Sequence, residues 1–197
     1  MDLALQPTAD NEWSRVAPSV LTDCRRRLTE NPMAYLFKTT SVSWMSKALG
    51  KPNDIGLNVL AIDGITFRCQ DSPENAETFG FISKKYKPYP KLRLVSLMSV
   101  ETRLMLGAAF DACDVGETTL AKRLIADVPD NSLTLFDRCY FSADLLTQWQ
   151  CREQQRHWLM PIKNNMRYEV IERYADNDLL IDMLVSPSSK KTKPQFT

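Results

Sequence analysis

The sequence predicts a mixed α/β fold: two leading helices, a sheet in the order β-β-β-α-β-α-β, and short strands at the end. Three observations carry this reading. Two apolar runs of strand length, 57–63 and 133–137, each end on a carboxylate. Two more, 92–100 and 104–110, are split only by Glu101-Thr102-Arg103, the spacing of a hairpin. Stretches with apolar residues at helical intervals lie between and after them. Three strands followed by alternating helix and strand make a mixed sheet, antiparallel in its hairpin and parallel in its right-handed βαβ units.

Residues 1–15 are polar and mixed, the texture of a loose terminus. From 16 to about 47 the pattern is helical. Pro18-Ser19 opens a helix that contains Arg25-Arg26-Arg27, and Asn31-Pro32 marks a break and a second start. Tyr35, Leu36, Val42 and Met45 then recur at roughly helical spacing. Gly50-Lys51-Pro52-Asn53-Asp54 is the strongest turn cluster and reads as a boundary. Residues 69–90, polar and punctuated by proline, read as a long loop. A helix over 117–128 sets Leu120, Leu124 and Val128 on one stripe, with Ala121 and Ile125 beside it. Ser142 caps a helix running to about Gln155 that buries Leu145, Leu146 and Trp149. Residues 158–162 read as another buried strand, and the tail from Arg167 holds short strands. Trp13, Trp44, Trp149 and Trp158 read as core anchors.

Composition excludes several classes. The chain has 197 residues, 44% hydrophobic and 25% charged, which suits a soluble domain able to bury a core. No apolar stretch approaches the ~18 residues of a membrane helix, so no membrane partner is expected. The first residues, MDLALQPTADNEW, lack the basic and apolar regions of a secretory signal. Net charge is +1, so contact with nucleic acid must come from local patches. The five cysteines are widely and irregularly spaced, with no C-x-x-C pair, which fits the cytoplasm and not a zinc ribbon. A single histidine, His157, excludes a histidine-rich metal site. Its apolar neighbours make it a packed strand residue.

Asp63 and Asp137 are the candidate chemistry. Carboxylates where strands leave a sheet are costly unless they face water or a cation. If the two strands are neighbours, the carboxylates converge and repel, and a divalent ion relieves this. Mg²⁺ takes hard oxygen ligands and keeps open positions for phosphate and water. Two such ions can activate a nucleophile and stabilise a leaving oxygen in phosphodiester chemistry. The spacing alone leaves other readings open: Asp63-Gly64 is also a hairpin-turn dipeptide, and Asp137-Arg138 a surface ion pair or strand-end turn.

Two blocks carry a resemblance. Ala61-Ile62-Asp63-Gly64-Ile65-Thr66-Phe67-Arg68, with Asp71-Ser72-Pro73-Glu74-Asn75 and Phe79-Gly80, resembles the first catalytic block of bacterial transposases of the insertion-sequence-four type. Leu133-Thr134-Leu135-Phe136-Asp137-Arg138-Cys139-Tyr140-Phe141-Ser142 resembles their D-R-G-Y-F-S segment. Tyr89-Pro90, Arg93-Leu94-Val95 and Gly116-Glu117-Thr118-Thr119-Leu120-Ala121 share the family's texture, and the likeness runs from about Val16 to the end. The resemblance implies a ribonuclease H-like core with an Asp-Asp-Glu triad, Asp63 and Asp137 being the first two acids. They would hold Mg²⁺ or Mn²⁺, two ions in the complete enzyme, for DNA cleavage and transfer between transposon ends and target. It implies DNA as partner, with a homodimer or full-length transposase as a further one, and a place in the bacterial cytoplasm at the nucleoid. The alternative of another class is a catalytically dead, DNA-binding or dimerising remnant.

Two departures stand out. Cys139 replaces the family's usual glycine, either straining the turn behind Asp137 or standing there harmlessly. The third acid is missing. The family's glutamate follows a tyrosine and an arginine three residues apart, but Ile171 stands three residues after Tyr168. Glu153, Glu169 and Glu172 are the nearest candidates, and none has the motif's context. The resemblance therefore implies a chain shortened at both ends: a helical remnant over 1–50, an incomplete catalytic core over 51–166, and the start of a β-rich insertion over 167–197.

Basic residues complete the picture. Lys84, Lys85, Lys87 and Lys91 interleave with Tyr86 and Tyr89, which suits phosphate contacts and base stacking as well as a solvated loop. Arg68 and Arg138 stand near the acids in sequence and suit phosphate or structural ion pairs alike. Arg25-Arg26-Arg27 reads first as a solvated helix face. Glu117 opens a helix, where the dipole alone accounts for it, although its family-like block leaves a supporting role at the site open.

Overall fold

The computed structural model describes residues 17–48, 55–81, 89–150, 153–162 and 166–183. The turn cluster at 50–54, Trp13, and Lys84, Lys85 and Lys87 lie outside these residues. The chain divides into two compact units, Met1–Ser43 and Trp44–Thr197.

Helix α1 spans Pro18–Leu28 and α2 spans Asn31–Ala48. Pro18 sits in the first turn, where a missing N–H costs nothing, and Arg25, Arg26 and Arg27 lie in the last turn, where the helix dipole favours cations. The two helices meet at Thr29, which takes a φ of 57°. The predicted apolar stripe of α2 is only partly buried. Met45 is 5% exposed, whereas Tyr35, Leu36 and Val42 are open, and Trp44 at 55% exposure is not a core anchor.

The five-stranded sheet has the order β3-β2-β1-β4-β5. Strand β1 spans Asn58–Arg68, β2 Lys91–Ser99, β3 Met105–Ala112, β4 Ser132–Leu135 and β5 Arg156–Leu159. The mixed α/β class, the antiparallel β2–β3 hairpin and the parallel β4–β5 pair hold. Strand β1 is antiparallel to β2 from Leu60↔Ser99 to Arg68↔Lys91, and parallel to β4 from Asn58↔Ser132 to Ala61↔Leu135. One expectation fails here: β1 does not end at Asp63. It continues to Arg68 because β2 keeps pairing its backbone after β4 has turned away.

The core lies where α4 (Glu117–Lys122) and α5 (Ala143–Trp149) cover one face of this sheet. Leu60 and Ile62 of β1 and Val95 and Leu97 of β2 meet Leu120, Leu124, Val128, Leu145, Leu146 and Trp149. The stripe predicted for 117–128 is buried as expected, but the helix is shorter. It ends at Lys122, and a 3-10 turn over Ile125–Asp127 carries the chain on. Lys122 pairs with Asp144 and so ties α4 to α5.

Helix α5 also ends early, at Trp149 and not near Gln155. Its start is as expected: the Ser142 hydroxyl accepts a hydrogen bond from the Leu145 N–H at 3.4 Å. Ser142→Ala is expected to cost about 1 kcal/mol, read as a lowered urea midpoint at unchanged slope.

The stretch 69–90 is not simply a loop. Helix α3 occupies Pro73–Phe79, with the Ser72 hydroxyl accepting from the Asn75 N–H at 3.3 Å and Pro73 in the first turn. Gly80, at φ 65°, ends it. Strand β5 starts earlier than predicted and is half exposed, because it is the sheet's edge and packs on one side only. Trp158 packs against the core, but His157 is exposed, not packed. Strands β6 (Tyr168–Ala175) and β7 (Asp178–Met183) form a separate antiparallel pair. Among the described residues, no helix is long and apolar enough to cross a membrane.

Candidate active site

The parallel pairing of β1 with β4 sets the site. Its last pair is Ala61↔Leu135, and each aspartate lies two residues further along its own strand direction. Asp63 is then carried by β1 paired to β2 alone, opposite Ser96. Asp137 follows β4 after Phe136 and opens a 3-10 turn over Arg138–Tyr140. Both aspartates are exposed.

Each carboxylate is steadied by its own backbone. Asp63 Oδ1 accepts from the Gly64 N–H at 2.7 Å, and Asp137 Oδ1 accepts from the Cys139 N–H at 2.5 Å. One oxygen of each is thus fixed by a short local hydrogen bond, and the other remains for a ligand. Paired hard oxygens open to water suit Mg²⁺ or Mn²⁺. Among the described residues, no three acidic, histidine or cysteine side chains are gathered closely enough to grip an ion.

Cys139 is accommodated without strain. It sits in the 3-10 turn, and its φ is not among the positive values that favour glycine. The Asp63-Gly64 pair is not a turn either, since both residues lie inside β1. Gly64 serves a close approach instead. A Cβ there would come within 2.8 Å of Glu117 Cδ and 2.9 Å of Glu117 Oε1.

Glu117 therefore leans over β1 at Gly64, the residue after Asp63. Arg93 Nε lies 3.8 Å from its Oε1, while Arg93 Nη1 donates to the Val115 carbonyl at 2.7 Å. Tyr140, three residues after Asp137, is wholly buried. Burial pushes its phenol well above the usual range, and the charges of Glu117, Asp63 and Asp137 add to the shift. Tyr140 and Arg93 did not stand out in the sequence as site residues. Their signal was proximity in the matching blocks: Tyr140 is three residues from Asp137, and Arg93 lies between the catalytic strands.

The basic candidates fall in different places. Arg138 is exposed directly after Asp137. Arg68 pairs with Lys91 at the far end of β1, five residues and so about 17 Å along the strand from Asp63. There its guanidinium lies 5.5 Å from the centre of the Tyr89 ring. Among the candidate third acids, Glu153 is exposed in a turn, and Glu169 and Glu172 lie on β6 in the separate sheet. Glu172 accepts a hydrogen bond from the Tyr174 hydroxyl at 3.0 Å.

Residues 55–196 match the family described as Transposase DDE domain. The chain is 35% identical over 181 residues to "Transposase InsG for insertion sequence element IS4" of Escherichia coli (strain K12), an overlap covering 91% of this chain and 41% of that protein. It is 36% identical over 173 residues to InsZ of the same strain, provisionally named a transposase, with 85% of this chain and 58% of that one covered. The chain thus spans well under two thirds of either relative's length.

Proposed function

Because the chain belongs to the transposase DDE domain family, we propose that Asp63 and Asp137 are the first two acids of a divalent-metal site for DNA strand cleavage and transfer, the chemistry of DNA transposition. The observation that carries this reading is the β1/β4 register, which ends two residues before each aspartate. Asp63 and Asp137 hold the cation, and the Gly64 and Cys139 amides fix the two carboxylates. The bound Mg²⁺, or Mn²⁺ in its place, supplies Lewis-acid stabilisation and an activated nucleophile at the phosphodiester.

The exposed Arg138 steers a phosphate toward the acids. Arg68 and Lys91, with the exposed Tyr89 beside them, take DNA further along β1. Lys84, Lys85 and Lys87 extend that basic stretch in the sequence. Residues 51–166 are the core of this reading, preceded by the helical segment 1–50 and followed by the beginning of an insertion.

These 197 residues carry no glutamate in the third acid's motif context. The purified chain is therefore expected to nick supercoiled plasmid little or not at all with Mg²⁺ or Mn²⁺. Robust nicking abolished by Asp63→Ala would remove the need for a further acid while supporting the site. Robust nicking that survives both Asp63→Ala and Asp137→Ala would overturn the assignment of the acids.

A further inference from the structure

Polar groups around the acid pair are left with nothing to do. Tyr140 is wholly buried, and its hydroxyl has no hydrogen-bond partner. A phenol O–H shut away without an acceptor is rare in a folded protein and points to a missing water or ion. Glu117, Asp63, Asp137 and Cys139 all lie near enough for their charges to act on it. Arg93 Nε is likewise buried without a hydrogen bond, beside Glu117.

Glu117 is closer to Asp63 than sequence suggests. Its carboxyl lies over the Cβ-less Gly64, and the Gly64 N–H is bonded to Asp63 Oδ1. Adding those contacts to the bonds between them puts the two carboxylates within about 9 Å of each other. A separation within that bound leaves room for a cation that keeps its water shell on the Glu117 side. Mg²⁺ dehydrates reluctantly, binds through one or two carboxylates, and keeps several waters. Those waters are strong donors and need acceptors around them.

We infer that Glu117 is a third carboxylate of the cation site, acting as a positioning residue that accepts hydrogen bonds from the ion's bound waters, with Arg93 paired to its carboxylate and the Tyr140 hydroxyl bonding to the same waters. The inference rests on the assignment of Asp63 and Asp137 as direct ligands. It agrees with the absence, among the described residues, of three acids close enough to grip an ion directly. It also explains Gly64: any side chain there would displace the Glu117 carboxyl from its place over β1.

The test is Mn²⁺ binding to the 197-residue chain, read from the electron paramagnetic resonance signal of the free ion. Partners of this kind change metal affinity by about 10–100-fold. Glu117→Gln is expected to weaken Mn²⁺ about 10-fold, and Gly64→Ala to weaken it without altering any charge. Tyr140→Phe is expected to weaken Mn²⁺ while leaving the metal-free melting temperature unchanged or higher, because no hydrogen bond is lost. A merely structural tyrosine would move both readouts down. If Glu117→Gln binds like wild type while Asp63→Asn loses the ion, the inference falls and the two-aspartate site stands. If Asp63→Asn binds Mn²⁺ like wild type, both fall. Should Glu117→Gln fail to melt cooperatively, Gly64→Ala and Tyr140→Phe decide, and unchanged affinity in both overturns the inference.

Discussion

Replacing Trp149 by alanine is expected to cost about 4 kcal/mol, among the largest losses from any single substitution in the sheet unit. Trp149 is fully buried at the end of α5. Its ring meets Phe136 edge to face, with centroids 4.9 Å apart, and its Nε1–H donates to the Thr134 hydroxyl at 3.0 Å. Alanine would open a cavity and orphan a Thr134 hydroxyl that is itself buried. The damage reaches the site, because Thr134 belongs to β4 and Phe136 directly precedes Asp137. Trp149→Phe keeps much of the packing but loses the donor, so its cost should fall to about 1–2 kcal/mol. Urea denaturation of the three proteins checks this. An alanine variant within 1 kcal/mol of wild type would refute the bracing role.

Asp63→Asn and Asp137→Asn are each expected to weaken Mn²⁺ on the order of 100-fold or more, beyond the effect of residues that act through water. The metal-free protein should be nearly unharmed, since an asparagine oxygen can still accept from the Gly64 or Cys139 N–H. Melting temperature is then a sufficient readout. At Mn²⁺ one hundred times its Kd, wild type should gain about 2.7 kcal/mol, or about 5–10 °C in a unit of this size. Either variant should gain no more than about 1–2 °C under those conditions. Equal gains in variant and wild type would show that the ion binds elsewhere.

The strand-end placing of the two aspartates was legible in part: apolar runs of strand length lead to both, but that β1 and β4 are parallel neighbours came from the structure. The length of β1 was not. An apolar run marks where a strand is buried, and β1 is exposed from Ile65 to Arg68, where only pairing with β2 defines it. Helix α3 was hidden by proline and polar residues. Yet Ser72-Pro73-Glu74 is itself a helix start, with a cap, a first-turn proline and an acid at the dipole's positive end. Helix ends were overrun because the apolar stripe continues through Leu124 and Val128 after the backbone has changed to a 3-10 turn.

Glu117 and His157 mark the limits of local reading. A glutamate in a first helical turn has a sufficient local reason, so its approach to Gly64 could be learned only from the packing of α4 across β1. His157 sits among apolar neighbours, but alternate residues of an edge strand face opposite ways, and only Trp158 turns toward the core. Cys139 showed the reverse. The family's glycine suggested a left-handed backbone there, and the turn has none.

The two aspartates stand about seventy residues apart in the chain, and it is the parallel ladder of β1 with β4 that sets them at neighbouring strand positions. The β2–β3 hairpin and its pairing with β1 need much shorter closures, so they can form while the chain is still emerging from the ribosome. A nascent chain that has not yet reached β4 carries Asp63 without its partner. The order of synthesis thus acts as a safety interlock: a half-made protein can fold three strands of its sheet and still be unable to assemble the acid pair.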